Sequence, residues 1–268
     1  MEKVRRRGGK GGIPTGLIPL GIIPDRLSQG DYRAVGVVLK RKEAPKSREC
    51  ILFLRGLGAV QVVSPGEKNR FGGGTEPMTW GNFALYQSTH RMYLKGVDIV
   101  EDFLPLRRSR RSLSLAVKWC GKLAARLPSG HENDGVLRLL WGSMKNVSLG
   151  LSPLLLDVRF AWRWCGVWGV APSMDFCSGC GASLESSRGV CASQGGFLCE
   201  DCSGREGAAR RGFAGAEAFA AVKAACVSPR DVFIRESSKL DDMLSGRDDL
   251  KSQLEETASL FYSFLVLV

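Results

Sequence analysis

Two Cys-x-x-Cys pairs give this chain its clearest capacity for metal chemistry. They are Cys177 with Cys180 and Cys199 with Cys202, and eighteen residues lie between the pairs. A Cys-x-x-Cys turn places two thiolates on one side of a metal ion, and a second such turn closes the other side, as tetrahedral Zn²⁺ requires. The pattern therefore predicts a Cys₄ zinc site. Because four thiolates leave no open coordination position, we expect the metal to be structural and not catalytic.

Other cysteine chemistry remains open at this point. A single Cys-x-x-Cys also suits a disulfide or a thioredoxin-like redox motif, but two pairs without a surrounding βαβ pattern favour a metal. Cys191 lies between the pairs. We expect it to be a bystander, although it could replace one of the four ligands. Nine cysteines in a chain of 268 residues, four of them in a metal pattern, suit a reducing compartment.

Charge divides the chain into a basic and a weakly acidic part. The formal net charge is +11, and residues 106–146 carry nine basic but only two acidic side chains. Residues 147–268 carry twelve basic and fifteen acidic side chains, so the basic excess lies in the first 146 residues. This asymmetry favours a polyanionic partner. The alternative is a solvated surface that only keeps the protein in solution.

Short β-like segments follow one another from Tyr32 onward. They are rich in β-branched and aliphatic residues and comprise Arg33–Lys40, Cys50–Arg55, Ala59–Val63, Thr79–Tyr86 and Arg91–Val100. Five strands without room for crossover helices predict a small antiparallel barrel. An OB-like barrel is favoured because closure protects the strand edges, and an SH3-like barrel is the alternative.

Helical periodicity replaces the strand pattern after Pro105. Leu113, Val117, Leu123 and Leu127 recur at roughly helical spacing, and further helices are predicted at Asn133–Met144, Leu154–Trp168, Gly212–Cys226, Ser237–Leu244 and Arg247–Leu267. The predicted fold class is therefore a multidomain α+β protein. It has a basic, disordered tail at 1–30, an OB-like barrel at 31–105, and a helical domain at 106–268 that carries the zinc module at 177–202.

Clusters of cations on the barrel and after it are the candidate nucleic-acid contacts. We expect phosphate contacts from Lys40, Arg41, Lys42, Lys68, Arg70, Arg107, Arg108, Arg110 and Arg111. Phe71 and Trp80 lie close to the basic loops and could stack on bases, but a place in the barrel core is the more ordinary role for Trp80 and Phe83. The arginine cluster could also be the exposed start of a helix, where cations oppose the helix dipole.

No catalytic motif is recognisable in the chain. The two histidines, His90 and His131, stand outside any His-x-Glu or His-Glu-x-x-His setting, and no nucleophile elbow, Walker or Rossmann motif occurs. We therefore expect no enzymatic activity and no catalytic residues. A hydrolase or nuclease that uses an unrecognised carboxylate set remains a competing class.

The first residues resemble a signal peptide only superficially. Met1–Arg7 is basic and Ile13–Ile23 is apolar, but Pro14 and Pro19 interrupt the apolar segment and no clean cleavage site follows. No apolar run reaches the length of a membrane span. We expect a cytoplasmic protein without a membrane partner.

Several stretches together resemble the bacterial recombination mediator and DNA-repair family RecO. They are Tyr32–Arg41, the segment Leu57-Gly-Ala-Val-Gln-Val-Val, the basic loop Lys68–Arg70, the segment Ile99–Pro105, and Arg159–Pro172, which leads directly into Cys177-Ser-Gly-Cys180-Gly. The last stretch carries the resemblance most specifically. The resemblance covers about residues 31–268 and is weakest in the last sixty; the first thirty have no counterpart, and the loop at 64–74 is less basic than is common.

What the resemblance implies is a mediator without catalytic activity that associates with the bacterial nucleoid. Such proteins bind single- and double-stranded DNA, anneal complementary strands, act with RecR, and help RecA to load onto single strands coated by SSB. The expected cofactor is Zn²⁺, and because some members of the family lack the cysteines, the resemblance implies that the ion stabilises the fold and takes no part in chemistry. An RNA-binding or ribosome-associated zinc protein would share the basic barrel and the Cys₄ site and is the alternative function.

Overall fold

The structure, a computed structural model, describes residues 29–44, 47–65, 71–193, 195–205 and 215–266. Residues 1–28 of the predicted tail, and Lys68 and Arg70 of the predicted nucleic-acid contacts, lie outside the described residues. The chain divides into two compact units, residues 1–138 and 139–268.

Five strands in the first unit form a closed barrel, which confirms the predicted OB-like fold. The strands are β1 (Gly30–Ala44), β2 (Ser47–Leu54), β3 (Gly58–Pro65), β4 (Trp80–Gln87) and β5 (Met92–Glu101). Their order around the barrel is β1-β2-β3-β5-β4, and β4 pairs again with β1. The expectation of a wholly antiparallel barrel is wrong at one seam, because β3 and β5 pair in parallel, with Val62 opposite Met92.

The barrel interior takes the aliphatic side chains that alternate along the strands. Val38, Leu52, Leu54, Phe83 and Leu85 are fully buried there. Trp80 is only 5% exposed. Phe71, which precedes a short 3₁₀ turn at Gly72–Thr75, packs against the same core. Trp80 therefore offers little ring surface for stacking on bases, whereas Phe71 is only partly buried.

A helix covers part of the outside of the barrel. After the short helix α1 (Leu104–Arg107), α2 (Arg110–Arg126) packs against β1. The outward-facing residues Val37, Phe53 and Ala59 stand opposite one another on β1, β2 and β3, and none of them is exposed. The segment after α2 closes this area further, because Ser129 and Gly130 both donate hydrogen bonds to the carbonyl oxygen of Ala59.

The apolar side of α2 agrees only in part with the predicted one. Its buried residues are Leu115, Ala116, Trp119, Cys120, Leu123 and Ala124. Val117, predicted on the apolar face, is 49% exposed. The prediction is correct for Leu123 and Leu127, which are buried, and wrong for Val117, because aliphatic residues occur on both sides of this helix.

Helices form most of the second unit, as predicted. They are α3 (Asp134–Ser148), which begins in the first unit, α4 (Pro153–Val167), α5 (Glu200–Arg205), α6 (Ala216–Val227), α7 (Arg230–Leu244) and α8 (Asp248–Phe264). Two short strands, β6 (Val190–Ser193) and β7 (Gly196–Cys199), form a hairpin between α4 and α5. Within the described residues, no helix is long and apolar enough to cross a membrane.

The helix α4 lies at the centre of the second unit and packs against α6 and α8. Its Trp164 is fully buried and makes edge-to-face contacts with Phe160 and Tyr262. The Tyr262 hydroxyl donates a 2.7 Å hydrogen bond to the buried carboxylate of Asp157, which joins α8 to α4. This hydrogen bond stabilises the fold, because burial of a charged group without a hydrogen-bond partner costs free energy.

Two arginines of α4 hold the end of α6. The Arg159 side chain is 6% exposed and donates to the carbonyl oxygens of Ala225 and Ser228, and Arg163 also donates to Ser228. Carbonyl groups at a helix C-terminus have no partner within the helix and carry partial negative charge, so a guanidinium group satisfies both needs. Burial, aided by the neighbouring Arg163, lowers the pKa of Arg159 to about 10, so the side chain stays charged at neutral pH.

We expect Gly58→Ala to destabilise the first unit much more than Gly56→Ala. Both glycines have positive φ, so each substitution costs about 1–2 kcal/mol of backbone strain. A Cβ at Gly58 would also lie 2.0 Å from the carbonyl oxygen of His131, whereas nothing lies within 4 Å of a Cβ at Gly56. That collision should add about 1–3 kcal/mol. Urea unfolding of the two variants measures the difference, and equal losses would show that the His131 segment moves aside without cost.

Candidate metal centre and nucleic-acid interface

The four cysteines of the two Cys-x-x-Cys pairs come together in the second unit. The Sγ atoms of Cys177, Cys180, Cys199 and Cys202 all lie within 4.8 Å of one another. The Sγ atoms of Cys180 and Cys199 are 3.7 Å apart. A tetrahedral zinc ion with Zn–S bonds of about 2.3 Å places its sulfur ligands about 3.8 Å apart. The donor set and its spacing therefore fit Zn²⁺.

Backbone hydrogen bonds shape the first Cys-x-x-Cys turn. The N–H of Cys177 donates to the carbonyl oxygen of Ala182, and the N–H of Gly181 donates to that of Cys177. Gly181 has φ +74°, a conformation that side chains disfavour. At Gly179 a Cβ would lie 3.2 Å from the Sγ of Cys202, so glycine leaves room for the second pair.

The second pair is positioned by the β6–β7 hairpin. Cys199 is the last residue of β7, and Cys202 lies in the first turn of α5. Ser178 donates its backbone N–H to the carbonyl oxygen of Phe197 at 2.8 Å, which ties the first turn to β7. The hairpin therefore sets the distance between the two pairs.

The surroundings of Cys177 lower the pKa of its thiol. Burial disfavours the thiolate, but hydrogen bonds from the backbone N–H groups of Cys199, Cys180 and Gly179 outweigh it and lower the pKa of Cys177 to about 6. Hydrogen bonds with the thiols of Cys180 and Cys199 raise the pKa of Cys202 to about 12. A divalent cation bound by all four sulfurs would have to displace the Cys202 proton, so metal binding should release protons.

Cys191 lies apart from this group. It is a buried residue of β6 and is absent from the four-sulfur cluster. The structure thus places four of the five cysteines of this region together, and these are the four that the spacing predicted.

Apolar packing and one cation attach the metal module to the helices of its unit. The Phe197 ring lies against Phe219 of α6 and Phe261 of α8, with centroid distances of 5.0 and 6.1 Å. Lys223 of α6 pairs with Asp175 at 2.9 Å and with Glu185 at 3.2 Å, and these partners raise its pKa. These contacts connect the geometry of the cysteines to the helical core.

The predicted barrel cations differ in their surroundings. Lys40 and Lys42 are exposed. Arg41 forms ion pairs with Glu43 and Glu76. Arg41 is therefore occupied within the fold, whereas the two lysines present their charge to solvent.

The four arginines predicted to contact nucleic acid also differ in their surroundings. Arg107 donates to the carbonyl oxygens of Asp102 and Pro77 at 3.1 and 2.9 Å. Its guanidinium group therefore stabilises the segment that precedes α2. Arg108, Arg110 and Arg111 are exposed, and they form no ion pair with any other described residue. The cluster therefore contains one structural arginine and three that face solvent.

The solvent side of α2 adds cations that the sequence reasoning missed. Lys118 is exposed and Lys122 is half-buried, and both follow Arg111 at helical spacing of seven and eleven residues. The prediction placed Val117, the neighbour of Lys118, on the apolar side of α2, and this concealed the row of cations. With Trp119 as the reference for the buried side of α2, the sequence alone could have predicted that Arg111, Lys118 and Lys122 share the opposite side.

We expect one zinc or cobalt ion per chain, bound by the four cysteines of the cluster. Cys199→Ser should weaken Co²⁺ binding and lower the thiolate-to-cobalt absorption of Co²⁺-loaded protein by roughly a quarter, because it removes one of four thiolate ligands. Cys191→Ala is the matched control, since Cys191 is equally buried but stands outside the cluster. A weaker cobalt spectrum in the control, or an unchanged spectrum in Cys199→Ser, would contradict the assigned ligand set.

Comparison with known proteins agrees with this arrangement. The family model "Recombination protein O C terminal" matches residues 109–214, which include α2 and the metal module. A DNA repair protein RecO of Geobacter metallireducens is 31% identical over 183 residues, which cover 66% of this chain and 74% of that protein. DNA repair proteins RecO of Desulforamulus reducens and Listeria monocytogenes are each 23% identical, over 180 and 171 residues, and cover 65% and 62% of this chain and 70% and 67% of their own lengths. With an OB-like barrel, a helical unit and the cysteine cluster between its helices, the chain belongs to the RecO family of DNA repair proteins.

Proposed function

We propose that this protein is a non-catalytic, DNA-binding recombination mediator that works in the cytoplasm at the bacterial nucleoid. In this proposal it binds single- and double-stranded DNA and anneals complementary strands. Together with RecR it helps RecA to load onto single strands coated by SSB. The observation that carries the proposal is the group of solvent-facing arginines at the start of α2, in a chain of the RecO family.

The electrostatics of this helix end favour a phosphate ligand. Arg110 and Arg111 lie in the first turn of α2, which contains no acidic residue. The helix dipole is positive there, so these cations are held where like charge disfavours them, by about 0.3–1 kcal/mol each. A phosphate group would neutralise the arginines and also face the positive end of the dipole. Ser109 accepts one backbone N–H, from Ser112, and leaves other N–H groups of the first turn for an anion.

Contacts to the phosphate backbone of DNA suit an annealing protein better than contacts to the bases do. Arginine and lysine side chains that bind phosphates leave the base edges of a strand available for a complementary strand. The exposed lysines Lys40 and Lys42 on β1 give the same unit a second group of cations. We assign phosphate contacts to these lysines, to Arg108, Arg110 and Arg111, and to Lys68 and Arg70 outside the described residues.

The metal centre has a structural task in this proposal. We assign Cys177, Cys180, Cys199 and Cys202 as ligands of one Zn²⁺ ion, which would complete a coordination shell with no position left for a substrate. The ion would stabilise the fold by joining the first turn, β7 and α5, which are short elements.

We expect replacement of Arg108, Arg110 and Arg111 by alanine to weaken DNA binding and to reduce its salt dependence. If each arginine contacts one phosphate, the slope of log K against log salt should fall by about 2.7 for duplex DNA and about 2.1 for single strands. Fluorescence anisotropy over a salt series measures the slope.

Arg107→Ala is the matched control for this experiment. It removes the same charge from the same segment, but the Arg107 guanidinium group already donates to two backbone carbonyls. It should therefore lower the free energy of unfolding by about 1 kcal/mol and leave the salt slope as it is in the wild type. An unchanged slope in the triple variant would remove these arginines from the DNA interface.

We expect zinc-loaded protein to anneal complementary oligonucleotides that are precoated with SSB. Annealing should need no nucleotide, should proceed without strand cleavage, and should slow as salt rises because the contacts are to phosphates. Fluorescence resonance energy transfer between labelled strands measures the annealing rate. The variant that lacks Arg108, Arg110 and Arg111 should anneal more slowly than the wild type. Addition of RecR and RecA then tests loading, through the DNA-dependent ATPase activity of RecA.

Two results would contradict the mediator proposal. DNA binding without annealing would leave a nucleic-acid-binding zinc protein with another task. Tighter binding to structured RNA than to single-stranded DNA would instead support an RNA-binding zinc protein.

A further inference from the structure

The outside of the barrel has one covered face and one open face. Where β1, β2 and β3 run side by side, Val37, Phe53 and Ala59 point outward but are completely buried, and α2 packs against β1. The face formed by strands 2 and 3 is the usual binding surface of OB-folds. In this chain the part of that surface around Phe53 and Ala59 is buried, whereas Ile51 and Gln61 farther along the same strands are half-exposed.

The open face is formed by the first half of β1 together with β4 and β5. Here the outward positions are exposed or half-exposed along three neighbouring strands. Read across the sheet from β1 to β5, the rows are Asp31, Tyr86 and Tyr93; Arg33, Ala84 and Gly96; and Val35, Asn82 and Asp98. Val35 and Tyr86 are 44% and 40% exposed.

Two tyrosines stand directly opposite each other on this face. Tyr86 of β4 pairs with Tyr93 of β5, and directly opposed residues of an antiparallel pair have Cβ atoms about 4.5–5.5 Å apart. The next row, Ala84 and Gly96, has almost no side chains, since a Cβ at Gly96 would meet only that of Ala84, at 3.8 Å. The result is two tyrosines on neighbouring strands beside a row that has almost no side chains.

A β-bulge directs a cation to these rings. The register shifts between Ala84 and Leu85, so that Lys95 is the extra residue of β5. Bulges commonly re-aim a side chain. The Lys95 ammonium group lies 5.9 Å from the centroid of the Tyr86 ring and 2.9 Å from the carboxylate of Asp31. Both partners of that ion pair are more than half exposed, so the pair is weak and a phosphate could compete for the lysine.

The balance of charge indicates which nucleic acid suits this face. Arg33, Arg91 and Lys95 are opposed by Asp31 and Asp98, so the face is only slightly positive. Duplex DNA offers mainly phosphates and would need a denser set of cations. A single strand also offers unstacked bases, and base–aromatic stacking contributes affinity whatever the sequence.

We propose that Tyr86 and Tyr93, flanked by Arg33 and Lys95, form a base-stacking platform for single-stranded DNA on the open β1-β4-β5 face of the barrel. The platform deepens the proposed DNA-binding function and rests on it. It is separate from the phosphate contacts at the start of α2. It would give the protein a preference for single strands that the arginines alone do not provide.

The test replaces both rings by residues that keep the strands. In Tyr86→Thr with Tyr93→Thr, threonine retains a high β-propensity but offers no ring. Affinity for an oligothymidylate of about 16 nucleotides, the upper site size of one OB barrel, should fall at least about 25-fold, since two stacked bases are lost and each contributes about 5- to 150-fold. Affinity for a duplex of equal length, and the salt slope, should stay near the wild-type values.

Two controls separate stacking from other effects of substitution. Tyr86→Phe with Tyr93→Phe keeps the rings and should keep the affinity for the oligothymidylate. Val35→Thr removes an exposed apolar side chain from the same face and should change nothing. Photocrosslinking of wild-type protein to a bromouracil oligonucleotide should give adducts at Tyr86 or Tyr93, a measurement that needs no variant.

The possible failures are distinguishable. Unchanged oligothymidylate binding by the threonine variant, or equal losses for single-stranded and duplex DNA, would overturn the platform and leave the mediator proposal intact. A change of oligomeric state would mean that a second copy of the chain covers this face, which also overturns the platform. Failure of the wild type to bind any DNA would instead remove the proposed function itself.

Discussion

The packing of α2 on the barrel is the constraint on which the rest of the first unit depends. Leu115, Trp119 and Leu123 are buried on one side of the helix, and Val37 and Phe53 are buried on the adjoining outer side of the barrel. Covering this much apolar surface fixes the rotation of α2 about its axis, because any other rotation would expose Trp119. That rotation leaves Arg110, Arg111 and Lys118 in solvent. The same contact leaves β4 and β5 as the open part of the barrel.

The second unit depends on a different combination of forces. Its helices bury a cluster of aromatic residues around Trp164, and Arg159 satisfies the carbonyl groups at the end of α6. The metal module has little core of its own, with two strands of four residues and one helix of six. It attaches through Phe197, and its cysteines are held close by backbone hydrogen bonds. Segments of this size need a crosslink to keep one conformation, and a metal ion held by the four cysteines would supply it.

Cations that look equivalent in the sequence do different work in the structure. Arg41 and Arg107 are engaged by carboxylates or carbonyl groups of the fold, and Arg48 is buried, where it pairs with Glu43 and donates to Thr75. Lys40, Lys42 and Arg108 face solvent. Net charge alone therefore overstates the number of cations that can reach a nucleic acid, since an engaged arginine must first leave its partners.

The sequence by itself determined which four cysteines come together, the five strands of the barrel and most of the helices. Cys-x-x-Cys spacing is local, so the pairing of Cys177 with Cys180 follows from a single turn, and alternation or helical periodicity is likewise legible over short segments. Tertiary structure alone decided the parallel seam between β3 and β5, the exposure of Val117 and the exposure of Tyr86. Exposure depends on which distant segment packs over a residue, and α2 covers one face of the barrel but not the other. A local pattern can show that a strand has two sides, but only the packing of the whole unit determines which side meets water.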